Sequence, residues 1–425
     1  MNDQSAPIGT DTPVRTKPWK ESNAIGEEER LAVERVMQSG NLSMFQGSFK
    51  PNPPLSFLGG PEVQTLEALA KDYIGSSHAI SVNSATSGLY AAVGALGLGF
   101  GDEVIVSPYT MSACATAPLV YGAIPVFADV ERETGCLDPE SIRRNLTPRT
   151  KAILVVHQFG IPADMEAIMS IAHEHDLKVI EDCAQAWGAS FKNKHVGTFG
   201  DIGIFSFNVH KTIQCGEGGL CVTNDPDIAL RLQMIRNHGE AIVGDTQHHD
   251  LTNIIGFNYR MTEISAAIAT EQLKKLDRLN AIRLELVKTV SEGITHHECL
   301  SVPSPEADRS ATYYVYPLRY HAEKFNNMPR AEFVKKLKEQ GIIFYEGYVK
   351  PIYMLPMFQS RTAYKNGYPW TAPENSESDP NYAKGACPVA EDLFENEFLM
   401  NLHLCPPQTK EDAMDVVKGI EVVCR

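Results

Sequence analysis

Long apolar runs are missing from this sequence. No stretch reaches the length a bilayer-spanning helix needs, and the first twenty residues, MNDQSAPIGTDTPVRTKPWK, lack the apolar core of a secretory signal. Together these absences predict a cytoplasmic protein with no membrane partner. Positive charge is in short supply: 38 Lys and Arg face 53 Asp and Glu, for a formal net charge of −15. Repulsion argues against a general nucleic-acid or anionic-membrane surface, so any phosphate must be held locally. Cysteines are unpaired by spacing: positions 114, 136, 183, 215, 221, 299, 387, 405 and 424 give an odd count with no CxxC and no zinc-like pattern. Free thiols and no metal site are expected. No fixed-period repeat or low-complexity tract is visible.

What is present fits a large folded protein. A length of 425 residues with 43% hydrophobic content allows two or three packed layers. Residues 1–22 are polar and read as a loose arm. Residues 26–38 form a short amphipathic helix that stops at Gly40, and 41–60, rich in Gly, Pro and aromatics, reads as a loop or lid. From 61 to about 289 short β-branched runs alternate with helical stretches. AISV (79–82), EVIVS (103–107), PVFADV (125–130), AILVVH (152–157), KVIED (178–182), GIFSF (203–207) and LCVTN (220–224) are the strand candidates. This alternation predicts an α/β fold with a mostly parallel sheet between helices, whose ligands bind at the carboxyl ends of the strands. A long helix from Glu263 to about Glu292 leads into a smaller α+β domain over 290–425, with TYYVYPLRY (312–320), a helix at 330–341, an apolar run at 342–349 and a closing helix near 410–423.

The stretch FSFNVHKTIQCGEGG (205–219) carries the sharpest chemical signal. Lys211 lies just past a strand end and ahead of a Gly-rich turn. Such a lysine is commonly a solvated loop charge. Schiff-base chemistry, however, needs an amine whose charged form is disfavoured, on a rigid segment with small neighbours that admit a flat cofactor. Asp182 ends the strand KVIED, with Gln185 one short turn later; a carboxylate there could keep a pyridinium nitrogen protonated, or simply cap a helix beginning at Ala184. Asn83–Ser84–Ala85–Thr86 opens a helix whose N–H groups suit a phosphate, though ordinary capping by Ser84 explains the same letters. GFNYRMTEIS (256–265) is a polar, aromatic loop leading into a small-residue helix.

In combination these blocks resemble the DegT/DnrJ/EryC1/StrS family of sugar aminotransferases. NSATSGLYAA, GDEVIVSPYT, GAIPVFADV, TPRTKAILVVHQFGIPADM, VIEDCAQAWGA, GDIGIFSFNVHK, CGEGG and NYRMTEISAAIATEQL occur in the family's order. The resemblance covers about 61–276 and implies a fold-type I enzyme that uses pyridoxal 5′-phosphate. It makes Lys211 the lysine that carries the cofactor and Asp182 the partner of the ring nitrogen. Gln185 would touch the ring hydroxyl, and Ala85, Thr86 and Ser206 would hold the phosphate. Asn258 would reach the phosphate of a neighbouring subunit, which implies a homodimer with a shared site.

Two departures stand out. Met111 follows the SPYT block where the family usually places an aromatic residue against the cofactor ring, and a thioether can still pack on a ring face. Ala85 replaces a glycine at the helix start, before Thr86, Ser87 and Gly88. A dehydratase branch of the family carries His at the lysine position; here position 211 is Lys. The expected reaction therefore moves an amino group from L-glutamate or L-glutamine to a keto sugar, first a nucleotide-linked ketohexose. The alternatives are a keto-cyclitol acceptor, a dehydratase or lyase on the same fold, and a non-catalytic sensor. Tyr313, Tyr345, Tyr348 and His403 are candidate acceptor contacts, or core and interface residues.

Overall fold

The computed structural model describes residues 12–50, 52–246, 250–302 and 306–425. Among these, seven strands form the central sheet: β1 (His78–Val82), β2 (Glu103–Val106), β3 (Ile124–Phe127), β4 (Thr150–Val156), β5 (Lys178–Asp182), β6 (Ile202–Ser206) and β7 (Gly219–Thr223). Across the sheet they run β1, β7, β6, β5, β4, β2, β3. β7 pairs antiparallel with β1 and β6, and the remaining pairs are parallel. Every strand but β7 therefore points the same way.

The strands are near-continuous Val/Ile/Leu runs because helices bury both faces. Alternate residues feed two cores: Val104, Leu154 and Ile180 pack with the helix α3 (Ala85–Ala95) on one side. Ile105, Ile153 and Val179 pack with Ile168 and Ile171 of the helix 165–174 on the other. Next to β7, α2 (Pro61–Ile74) packs with the first half of the long helix Glu263–Ile294 over Phe205 and Leu220. That helix continues past 289 and 290, with Leu286 and Val290 entering a second core. This core lies under four antiparallel strands, Leu300–Ser301, Tyr316–Tyr320, Phe398–Asn401 and Tyr345–Glu346, in that spatial order. Among the described residues no helix is long and apolar enough to cross a membrane.

Several expectations change in detail. The run 125–130 is a strand only to Phe127, because the Asp129 carboxylate accepts the N–H groups of Val130, Val389 and Ala390 and turns the chain. The run 312–320 becomes a strand at Tyr316, after Tyr313 adopts a φ of 49°. The run 342–349 contains only the strand Tyr345–Glu346 and breaks at Gly347, φ 62°. Of the predicted loose arm, residues 1–11 lie outside the described residues. Residues 12–22 are docked: Arg15 is buried, its guanidinium 2.8 Å from Asp412 and 2.9 Å from Asp415, and stacked 3.8 Å over the Trp19 ring. In the segment 41–60, of which residue 51 is not described, Phe57 is buried and Asn237 Nδ2 donates to the carbonyls of Gln46 and Phe57.

Residues 351–397 hold short helical turns and no strand. They return to the central sheet at β3, its edge strand, where Tyr353, Phe358 and Tyr382 surround Phe127. Tyr382 Oη donates to the Pro125 carbonyl at 2.6 Å and Asn375 Nδ2 to the Gly122 carbonyl at 2.9 Å. This cover shields an edge that would otherwise offer unpaired backbone groups.

Candidate active site

Because β7 is reversed, the carboxyl ends of β1, β2, β5 and β6 lie along one edge of the sheet. The loops leaving them line a cavity of about 320 Å³, as expected for this sheet type. Ala85 and Thr86 open α3 just past β1, Thr110 and Met111 come from the loop after β2, Asp182 and Gln185 from the end of β5 and the turn beyond it, and Ser206 and Lys211 from the end of β6 and the connection beyond it. Tyr314 and Tyr348, from the C-terminal third, close the other side.

The start of α3 is built for an anion. Ser84 is extended (φ −166°, ψ 157°) and its Oγ accepts the Ser87 N–H at 3.0 Å. The first amides of a helix have no partner within it and sit at the positive end of its dipole; here they belong to Ala85 and Thr86. Gly219 lets the strand and helix start touch, since a Cβ there would lie 2.5 Å from the Ser84 carbonyl carbon. That is a physical use for the last glycine of GEGG.

No helix begins at Ala184, so Asp182 caps only a turn: one carboxylate oxygen accepts the Ala184 N–H at 2.9 Å. The other accepts from the Cys114 thiol at 3.0 Å. Burial, helped by the Asp182 charge, holds that thiol well above the ordinary cysteine value, so it stays protonated and donates. Gln185 is more committed than expected: its Oε1 accepts the Phe159 N–H at 2.8 Å and its Nε2 donates to Tyr348 Oη at 3.2 Å. One amide hydrogen remains for a ligand. The Ser206 carbonyl accepts from Trp187 Nε1 at 2.9 Å, which fixes the end of β6.

Lys211 sits in the connection between β6 and β7. That connection is braced by Phe207 N–H to Gly218 O and Val209 N–H to Gly216 O, both 2.9 Å, and by Lys211 N–H to Asn208 O at 2.8 Å. Asn208 Nδ2 also reaches Glu217 across the loop at 3.0 Å. Among the described residues no carboxylate lies within ion-pair distance of Lys211 Nζ, which instead stands 4.3 Å from the centre of the Tyr314 ring. Burial pulls its ammonium below the ordinary lysine value of 10.5, with Asp182 and Cys114 opposing. An unpaired amine of lowered proton affinity, a carboxylate lining the same cavity and a helix start with free amides fit a flat phosphorylated cofactor. The small side chains of Ala85, Ala113 and Ala184 leave the slot open.

A family model for the DegT/DnrJ/EryC1/StrS aminotransferases matches residues 54–421. The chain belongs to that family. It is a pyridoxal-phosphate-dependent aminotransferase. The aminotransferase is 30% identical over 407 residues to the spore coat polysaccharide biosynthesis protein SpsC of Bacillus subtilis, covering 94% of this chain and 95% of that one. It is 33% identical over 408 residues to an uncharacterised protein of Methanocaldococcus jannaschii, with the same coverage of 94% and 95%. Among solved structures, the aminotransferase from Psychrobacter cryohalolentis matches with a TM-score of 0.80 at 29% identity, over 96% of this chain and 98% of that one. DesV of S. venezuelae, solved in complex with a ketimine intermediate, matches with a TM-score of 0.76 at 29% identity, over 94% and 95%.

Seven of the residues singled out from sequence, Ala85, Thr86, Met111, Asp182, Gln185, Ser206 and Lys211, line the aminotransferase's cavity together. Asn258 does not; it lies outside the lining, exposed, with its Oδ1 accepting from Arg260 Nε at 2.9 Å. Of the four candidate acceptor contacts, Tyr348 lines the cavity. Tyr313 lines a separate, shallower cleft beside the long helix, Tyr345 is exposed on its strand, and His403 stacks on Trp19. Tyr314 and Cys114 were missed. A lone cysteine 68 residues from its carboxylate partner gives no signal, whereas the adjacent tyrosines of TYYVY needed only the correct side to be chosen. His157, Glu181 and Cys183 also cluster, with ligand atoms within 4.8 Å. The Glu181 oxygens already accept from Gly197, Phe199 and Gly200, and His157 Nδ1 accepts from Ala163, so those lone pairs serve the fold.

Proposed function

We propose that this aminotransferase transfers an amino group from L-glutamate or L-glutamine to a keto sugar, foremost a nucleotide-linked ketohexose, with Lys211 as the proton carrier. The observation that carries the reading is the Lys211 amine, unpaired by any described carboxylate and lowered in proton affinity, in the same cavity as Asp182 and the start of α3. A sugar acceptor is supported by the likeness to a polysaccharide biosynthesis protein.

Pyridoxal phosphate, when bound, supplies an electron sink for the bond broken at the donor's α-carbon. The Ala85 and Thr86 amides and the Ser206 hydroxyl would hold its phosphate. Asp182 would hold the ring nitrogen's proton, the free amide hydrogen of Gln185 would reach the ring hydroxyl, and Met111, 54% exposed at the rim, would cover a ring face. Lys211 Nζ does the proton work. As a neutral amine it accepts the α-proton; as an ammonium it returns that proton on the other side of the transfer, and burial brings its two forms closer in population near neutral pH. Tyr314 and Tyr348 keep water from the amine.

We further propose that the working unit is a homodimer. Leu31, Met37, Leu42, Phe49 and Leu58 are each between 39% and 57% exposed along residues 31–58, and Asn258 is exposed, its Oδ1 taken by Arg260 and its Nδ2 left to serve a neighbouring site. Nine free cysteines suit a reducing cytoplasm. The test incubates holoenzyme with L-glutamate and a panel of nucleotide-linked keto sugars and keto-cyclitols, and follows 2-oxoglutarate and amino product by mass. Equal amounts of both are expected. A dehydrated product formed without donor consumption would overturn transamination.

A further inference from the structure

Lys211 shares its cavity with Asp182, Glu217, His210 and Tyr348, and with Cys114 behind Asp182, but the group that its ammonium meets is an aromatic face. Tyr314 comes from the C-terminal third, and its placement is fixed from three sides. Thr312 N–H donates to Gly160 O at 3.0 Å and Tyr314 N–H to Phe159 O at 2.8 Å, which ties this backbone to the turn after β4. Tyr313 adopts φ 49°, a left-handed step that puts the two adjacent tyrosines in different clefts. Arg283, buried on the long helix, donates from Nη1 to the carbonyls of Tyr314 at 3.0 Å and Tyr313 at 3.3 Å.

We infer that Tyr314 is a positioning residue whose ring face, 4.3 Å from Lys211 Nζ and held in place through Arg283, stabilises the ammonium form and sets the pH at which this amine becomes a base. The inference rests on Lys211 being the reactive amine. Burial disfavours the charged amine, and the negative face of an aromatic ring favours it, more strongly where water is excluded. The ring thus opposes desolvation without adding a carboxylate that would lock the proton in place. Burial also raises the Tyr314 phenol above the ordinary tyrosine value, with the Arg283 charge opposing.

The test uses cofactor-free protein and reads amine reactivity. Added pyridoxal phosphate is trapped with borohydride at a series of pH values, the labelled peptide is mapped, and the pH midpoint for labelling at Lys211 is compared between variants. Tyr314→Phe keeps the face and is expected to keep the midpoint. Tyr314→Leu removes it and is expected to lower the midpoint by about one unit, the size of a desolvated cation–π contact. Arg283→Met is expected to move it the same way by less. If Leu disturbs packing, pentafluorophenylalanine at this position fills the same space with inverted ring polarity, and the midpoint should fall at least as far. An unchanged midpoint in the Leu and fluorinated variants, or an equal fall in Phe and Leu, overturns the assignment. Label at a lysine other than 211 in the unaltered protein overturns instead the choice of Lys211.

Discussion

The cavity at the strand ends and the segment 351–397 both close one sheet, yet they are encoded differently. At the cavity the residues supplied by the central sheet lie within a few positions of a strand's carboxyl end, so their places follow from each strand's own register. The covering segment has no regular period. It is held by side chains reaching backbone groups more than 250 positions away, such as Tyr382 to Pro125 and Asp129 to Val389 and Ala390. Chemistry here is written locally, and closure of the fold is written over long range.

Breaking each region should therefore give opposite signatures. The largest effect is expected at Lys211. Lys211→Met should lower turnover by about four orders of magnitude, while cofactor-free protein melts no lower than the unaltered protein at pH 7. The folded amine binds its proton less tightly than the unfolded one, so its burial opposes folding at all pH values below the lowered folded value. That penalty fades as pH rises from there toward 10.5, and the stability advantage of Lys211→Met should fade with it. A melting point well below that of the unaltered protein would break the comparison.

Asp129→Ala should do the reverse. It leaves the N–H groups of Val130, Val389 and Ala390 without their acceptor in a buried site, and should cost about 2–3 kcal/mol in urea unfolding with cofactor affinity retained. The smallest effect is expected for Tyr382→Phe, about 1–2 kcal/mol, since its hydroxyl no longer donates to the Pro125 carbonyl or accepts from Trp370 Nε1, while the ring packing on Phe127 remains. If either substitution abolished cofactor binding while leaving unfolding unchanged, the two regions would not be separable.

The same contrast explains what could be read from the sequence. The parallel strands and the residues at their ends were legible because burial on both faces leaves Val/Ile/Leu runs, and small or polar residues mark where they stop. The adjacency of β5 and β6, on which the pairing of Asp182 with Ser206 depends, was a condition that the register Asp182 to Ile204 satisfies. Tyr314 was hidden because a single positive φ at Tyr313 upsets the two-residue alternation by which a strand's sides are assigned. The docking of residues 12–22 was hidden because the acids that capture Arg15 lie 397 and 400 positions away. The cover over β3 was hidden for the same reason.

The reversal of β7 has an evolutionary corollary. Ser206 faces Gly219 across an antiparallel pair, so Lys211 stands near the tip of a hairpin pinned at both stems. Insertions or deletions there would slip the register and turn the strand's faces over, whereas exchange of the tip residue leaves the stems untouched. Point substitution can thus explore new reactions at this position on an unaltered scaffold.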